Sequence, residues 1–106
     1  ALNYTLVAAD NWKTILVNDD VNITLPAAAA GLSFFVGCIA DKTLAILAPG
    51  SNDSILTKGD DAADSVTFST ASNKIGSLAF VVAIEVSAGA YKWFLVNIGG
   101  TTATIA

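Results

Sequence analysis

The residue types that carry most enzyme chemistry are thin in this chain. Its 106 residues include no His and no Arg, one Cys, one Glu and eight Asp. Without an imidazole the commonest general base is missing, and neither a Ser-His-Asp nor a Cys-His arrangement can be assembled. Glu85 ends an apolar run, where a strand emerges into solvent, and nothing in the sequence pairs it with a second carboxylate for glycoside hydrolysis. The reading is of a non-enzyme without a cofactor. Asp60, Asp61 and Asp64 follow Gly59 in an oxygen-rich stretch of the kind Ca²⁺ favours, but the spacing does not fit the twelve-residue loop that closes on a glutamate. A solvated acidic loop is the plainer expectation, and no metal is assigned. Cys38 sits inside FFVGCIA and reads as a small buried hydrophobe with no partner for a disulfide. Trp12, Tyr91, Trp93 and Phe94 are the material for a sugar-stacking platform. Period two puts Tyr91, Trp93 and Leu95 on one strand face and Lys92, Phe94 and Val96 on the other, where core or interface is the commoner use. Asn-X-Ser/Thr triplets begin at Asn3, Asn22 and Asn52, and they matter only if the chain is secreted by a eukaryote.

Bulk composition narrows the partners. The net charge is −4 with five Lys, so no basic cluster exists to displace counterions from nucleic acid. Hydrophobic residues make up 54% of the chain and charged residues 13%, against about 25% charged in an ordinary soluble domain. A chain of this length folds as one domain, residues 1–106, and buries only roughly 60–65% of its unfolded surface. The surplus apolar surface therefore needs a destination. The longest apolar runs, residues 78–84 and 34–40, fall far short of the ~20 residues of a membrane span. No basic start with a hydrophobic run behind it marks a signal peptide. An apolar interface with other copies of the chain, or with a partner, is the expected destination.

The elements that would carry such an interface read as strands. Residues 21–36, VNITLPAAAAGLSFFV, organise the chain: Val21, Ile23 and Leu25 alternate with Asn22 and Thr24, Pro26 ends the ladder, and residues 32–36 re-enter as a strand. Residues 27–30 are expected to form one helical turn with Pro26 at its first position, stopped by a left-handed Gly31. Further strands are expected at residues 2–7, 14–17, 43–47, 54–57, 66–70, 78–86 and 91–98, and the tail offers a further short one. The segment from Leu32 runs on to residue 40, with Gly37 marking a bulge or a close backbone approach. Asp41-Lys42 reads as a two-residue hairpin connection, residues 49–53 as a turn, 58–65 as a polar loop and 71–76 as a polar connection. No internal repeat and no helical stripe is visible. LAFVVAI, residues 78–84, has no polar position, which implies cover on both faces. Strand spacing of about 8–12 residues predicts an all-β fold, an antiparallel sandwich or jelly-roll-like barrel of about eight short strands.

VNITLPAAAAGLSFFV resembles a recurrent module of tailed-bacteriophage virion proteins, in which a strand ending in Leu-Pro leads through a small-residue elbow to Gly-Leu and a second strand. ILTKGD is similar to that module's short I-x-x-x-G segment, and YKWFLVNIGGTTA to its closing aromatic strand and Gly-Thr-rich tail; the similarity spans roughly residues 6–102. The resemblance implies a non-enzymatic, commonly homotrimeric β protein of the virion. It implies a capsid decoration or cement protein on the outer capsid surface, with the major capsid protein as partner. A receptor- or glycan-binding module of a tail fibre or spike is the alternative, and an adhesion domain cut from a longer chain is a third reading. Phe34, Phe35, Leu78, Phe80, Val82 and Trp93 are expected to supply core and subunit contacts, undivided between the two.

Overall fold

Strands form where branched and aromatic residues alternate, and they associate into two sheets because each strand has one apolar face to hide. A computed structural model describes residues 2–49, 54–57, 59–69, 74–99 and 103–106. Eleven strands lie among them: β1 (Leu2–Thr5), β2 (Thr14–Val17), β3 (Val21–Thr24), β4 (Ser33–Cys38), β5 (Leu44–Leu47), β6 (Ile55–Thr57), β7 (Asp60–Ala63), β8 (Ser65–Phe68), β9 (Leu78–Ser87), β10 (Ala90–Asn97) and β11 (Thr104–Ile105). One sheet has the order β1-β3-β5-β8-β11 and the other β2-β4-β9-β10-β6-β7. Between them lies one apolar core that includes Leu6, Ile23, Leu25, Phe34, Val36, Ile46, Phe68, Val81, Trp93 and Leu95.

The all-β class and the packing of two sheets match the sequence reading, but the sheets are mixed rather than antiparallel. The first five strands alternate between the sheets, so that β1, β3 and β5 pair in parallel in one and β2 and β4 in the other. The chain thus begins as a coil. Leu2 pairs with Val21 and Val21 with Leu44, each step being one turn of the coil. In the other sheet Thr14 pairs with Phe35 in the same way. These similar offsets are a structural repeat with no matching repeat of residue types. The remaining pairings are antiparallel, apart from β6 with β10.

Four local expectations need correction. Asp41-Lys42 does not close a hairpin, because β4 and β5 lie in different sheets. It turns a corner, where the Asp20 carboxylate accepts the Thr43 N–H at 2.8 Å. Residues 27–30 do not form a helical turn; the chain runs irregularly there to a turn at Ala30-Gly31, where Gly31 takes the expected left-handed φ of 84°. The polar loop 58–65 contains β7, drawn into the sheet by pairing with β6. The strand count exceeds eight partly for that reason and partly because the tail forms β11 on β8. The turn at 50–53, Lys58, Asn52 of its triplet, the connection at 70–73 and the tail glycine and threonines at 100–102 lie outside the described residues.

Gly37 is a close approach rather than a bulge. A Cβ there would stand 2.6 Å from the Ser77 carbonyl oxygen, with the Leu78 and Leu16 side chains closing over it at 3.0 and 3.3 Å. The first corner is held by Asp10, a carboxylate that is 5% exposed. It accepts the Val7 N–H at 3.1 Å and the Tyr4 hydroxyl at 3.0 Å on one oxygen, and the Lys13 ammonium at 3.1 Å on the other. The Val7 N–H, followed by the Lys13 ammonium, holds its pKa below the ordinary carboxylate range even though burial pulls the other way.

Gly37→Ala is expected to cost about 1–3 kcal/mol by overpacking, read as a lower urea midpoint at unchanged slope. The lowered Asp10 pKa means that its contribution is complete above the unfolded value near ~3.9 and is lost as pH falls through the folded value. Asp10→Asn should therefore be less stable than the parent at neutral pH, and the gap should close on acidification; urea melts at roughly pH 7 and roughly pH 2.5 check the sign.

Candidate assembly surface

The expected contact residues divide by parity. On β4, Phe34 and Val36 point into the core while the neighbouring Phe35 points out. On β10, Trp93 and Leu95 point in and Phe94 and Val96 point out. On β9, Ala79 and Val81 point in, leaving Leu78, Phe80, Val82 and Ile84 outward and half-buried. Phe34 and Trp93 are core residues, each with no exposed surface, and their rings meet at 5.6 Å. Phe35, Leu78, Phe80 and Val82 stand on the opposite, outer face of the six-stranded sheet.

Strand register sets these outer residues in rows. Phe35 lies beside Phe80 and Phe80 beside Val96, with the two phenylalanine rings 4.7 Å apart. Val82 lies beside Phe94 and Phe94 beside Leu56. Leu16 and Leu78 flank Gly37, and Ile98 follows, its N–H donating to the Leu78 carbonyl. Phe94 and Val96 are 37% and 39% exposed, and Leu16 and Ile98 half exposed. Across the outward positions of β2, β4, β9, β10 and β6, Lys92 is the one ionisable residue. Its ammonium reaches sideways over β6 to the Asp61 carbonyl at 2.7 Å, which leaves the apolar rows uninterrupted. Five strands about 4.8 Å apart, with one to four outward residues each, give a face of roughly 400 Å² in projection, within the range of the largest apolar patch on a monomer, which is often functional.

The other candidate chemistries are dispersed. Trp93 donates its Nε1–H to the Pro26 carbonyl at 2.8 Å inside the core, and Trp12 stands 72% exposed on the corner before β2. The aromatics therefore do not form one sugar platform. Strand β7 sends the consecutive Asp60 and Asp61 to opposite faces, and no three His, Cys, Asp or Glu side chains gather among the described residues. Cys38 is buried, its thiol directed to the Ala40 carbonyl at 3.0 Å. Glu85 is exposed where β9 emerges and accepts the Gly89 N–H at 3.0 Å.

Two features escaped the sequence reading. The Asn11 side chain clips two corners together, donating to the Gly31 carbonyl at 2.8 Å and accepting the Ser33 N–H at 2.7 Å. Trp12, next to it, adopts a left-handed φ of 68°. An Asn side chain bonds nearby backbone by its type alone; the distant partners of Asn11 come only from the fold. No family model, curated protein or solved structure matches the chain.

The division by parity has a measurable consequence. Phe34→Ala is expected to cost about 3–5 kcal/mol in chemical denaturation. Phe80→Ala, measured on the dissociated chain, should cost about 1 kcal/mol, half of a full burial.

Proposed function

We propose that this chain is a non-enzymatic structural protein that self-associates as a homotrimer through the outer face of its six-stranded sheet. One observation carries the reading: the apolar rows from Leu16 to Ile98 and from Phe35 to Val96 lie side by side with a single charged residue, and that residue's ammonium is turned away. Copies that meet on these five strands, clear of the β7 aspartate that shares the face, bring no like charges together, and they hide the surface that the composition leaves over. The trimeric stoichiometry comes from the resemblance to phage virion modules, as does the setting: a capsid decoration or cement protein on the outer surface of a phage head, contacting the major capsid protein.

The mechanism is mechanical. A trimer that binds the assembled shell and not its separated subunits stabilises the shell by RT ln(1 + [L]/Kd), about 2.7 kcal/mol at a hundredfold excess over Kd. Each bound trimer contributes independently, so the effect grows with the number of sites. No bond is made or broken, which suits a chain without His, without Arg and with its one thiol buried.

Light scattering at two concentrations tests the reading. The expected mass is three times that of the 10.8 kDa chain, and it should survive dilution. Phe80→Asp should give a folded species of 10.8 kDa with an unchanged far-ultraviolet spectrum. A parent chain that is monomeric at both concentrations overturns the proposal, and so does a Phe80→Asp variant that keeps the parent mass.

A further inference from the structure

Among the described residues, the first coil lacks the neighbour that the next coil has. Strands β1 and β2 end their respective sheets, and the space between them is an open apolar groove of about 220 Å³ lined by Tyr4, Ile15, Val17, Val21 and Ile23, with Asp19 at its rim. Register makes the comparison direct. Tyr4 is 47% exposed, whereas Ile23, its partner one coil on, is 1% exposed. Ile15 and Val17 are half-buried, whereas their partners Val36 and Cys38 are 0% and 1% exposed. A cavity of ~150 Å³ lined by apolar side chains accepts benzene, so this groove has room for a branched side chain or two.

The backbone of the same edge is prepared for a strand. The Lys13 and Val17 carbonyls accept N–H groups of β4 and of the residue after it at 3.1 and 2.9 Å, so alternation turns the peptide groups of Thr14 and Leu16 toward the open side. On β1 the Leu6 N–H donates to Thr24 at 2.8 Å, which by the same alternation leaves those of Asn3 and Thr5 facing outward.

We propose that this end of the sandwich takes up an extended arm of a partner protein, added as a strand parallel to β2. Alternate branched side chains of the arm fill the groove, and a Lys or Arg at its C-terminal end lies beside Asp19. The parallel sense continues the pairing of β2 with β4. The charge preference follows from the rim: β2 runs into Asn18-Asp19-Asp20, where the Asp20 carboxyl is held below its ordinary range, first by the Thr43 N–H, and stays ionised. A second copy of the chain fits less well. Two-fold symmetry would run β2 against itself and set Lys13 near the acidic end, and that ammonium is already held by Asp10 at 3.1 Å. This surface meets the outer face of the six-stranded sheet at Leu16, whose side chain borders both, but the open backbone edge and the inward groove are not part of the apolar rows, and the inference stands without the trimer.

The probe is a synthetic peptide of roughly eight residues, a usual strand length, in which Val and Ile alternate with Thr and two lysines close the C-terminal end. Amide hydrogen exchange on the intact chain is the readout. The lysine peptide should slow exchange at Thr14 and Leu16 by about tenfold or more, while a peptide ending in two glutamates should not. Asp19→Lys, at an exposed position, should reverse that preference without disturbing the fold. Equal protection by both peptides, or by neither at millimolar concentration, overturns the proposal. In the Phe80→Asp variant, which removes association through the outer face, protection that grows with the chain's own concentration in the absence of peptide assigns the groove to a second copy and overturns it equally.

Discussion

The sandwich closes on Trp93. Its indole has no exposed surface, packs against Phe34 at 5.6 Å, and donates its N–H to a carbonyl 67 residues earlier in the chain. That carbonyl belongs to Pro26. Pro26 cannot donate to the ladder, so it leaves the sheet, yet its acceptor remains and would be costly to bury unpaired. The indole N–H meets that demand, and the same side chain packs across the inner face of β9 onto Phe34 of β4. The elbow in the first half of the chain and the aromatic strand near its end, the two segments that stand out most in the sequence, are thus held together by one side chain.

Closing the core in this way forces the second consequence. A strand alternates strictly, so placing Phe34, Val81, Trp93 and Leu95 inside places Phe35, Phe80, Val82, Phe94 and Val96 outside. In a half-solvated sheet those outward positions would be polar. Here they are largely apolar on three neighbouring strands, and the one ionisable residue among them, Lys92, reaches away. The surplus of hydrophobic residues is therefore concentrated on one face of one sheet rather than scattered, and concentration is what turns composition into a surface that can bind.

Much of this was legible in advance where the physics is local. Strand positions followed from alternation, the left-handed Gly31 from its place after the elbow, and the inward-outward split of Tyr91 to Val96 from period two. The close approach at Gly37 was one of two readings of a glycine inside a strand. What the residues did not reveal is which strands pair. Corner and hairpin use the same turn residues, so Asp41-Lys42 looked like a hairpin although β4 and β5 belong to different sheets. The parallel coil left no trace because stacked strands need only matching inward faces; Tyr4 over Ile23 over Ile46 satisfies that with no repeated motif. Strand β7, Asp-Asp-Ala-Ala, has no strand propensity of its own and is extended because β6 offers it an edge. Adjacent Phe34 and Phe35 could be assigned opposite roles only once the boundary of β4 was known.

The four sheet edges are not alike, and the difference bears on where this molecule meets others. Strand β7 carries Asp60 and Asp61, and β11 is two residues long. Charge and brevity are the usual ways to stop an edge from recruiting another strand. The β1 and β2 edges carry neither device along their length. Strand β2 is Thr-Ile-Leu-Val, its charges lie beyond both ends, and its inward side chains reach an incomplete apolar layer. A protein that blunts two edges and leaves the other two facing the same groove has not treated them as equivalent. The open pair shares one gap in the core, so whatever extends the backbone ladder there also completes the packing, and the two gains reinforce one another in a way that a single open edge does not allow.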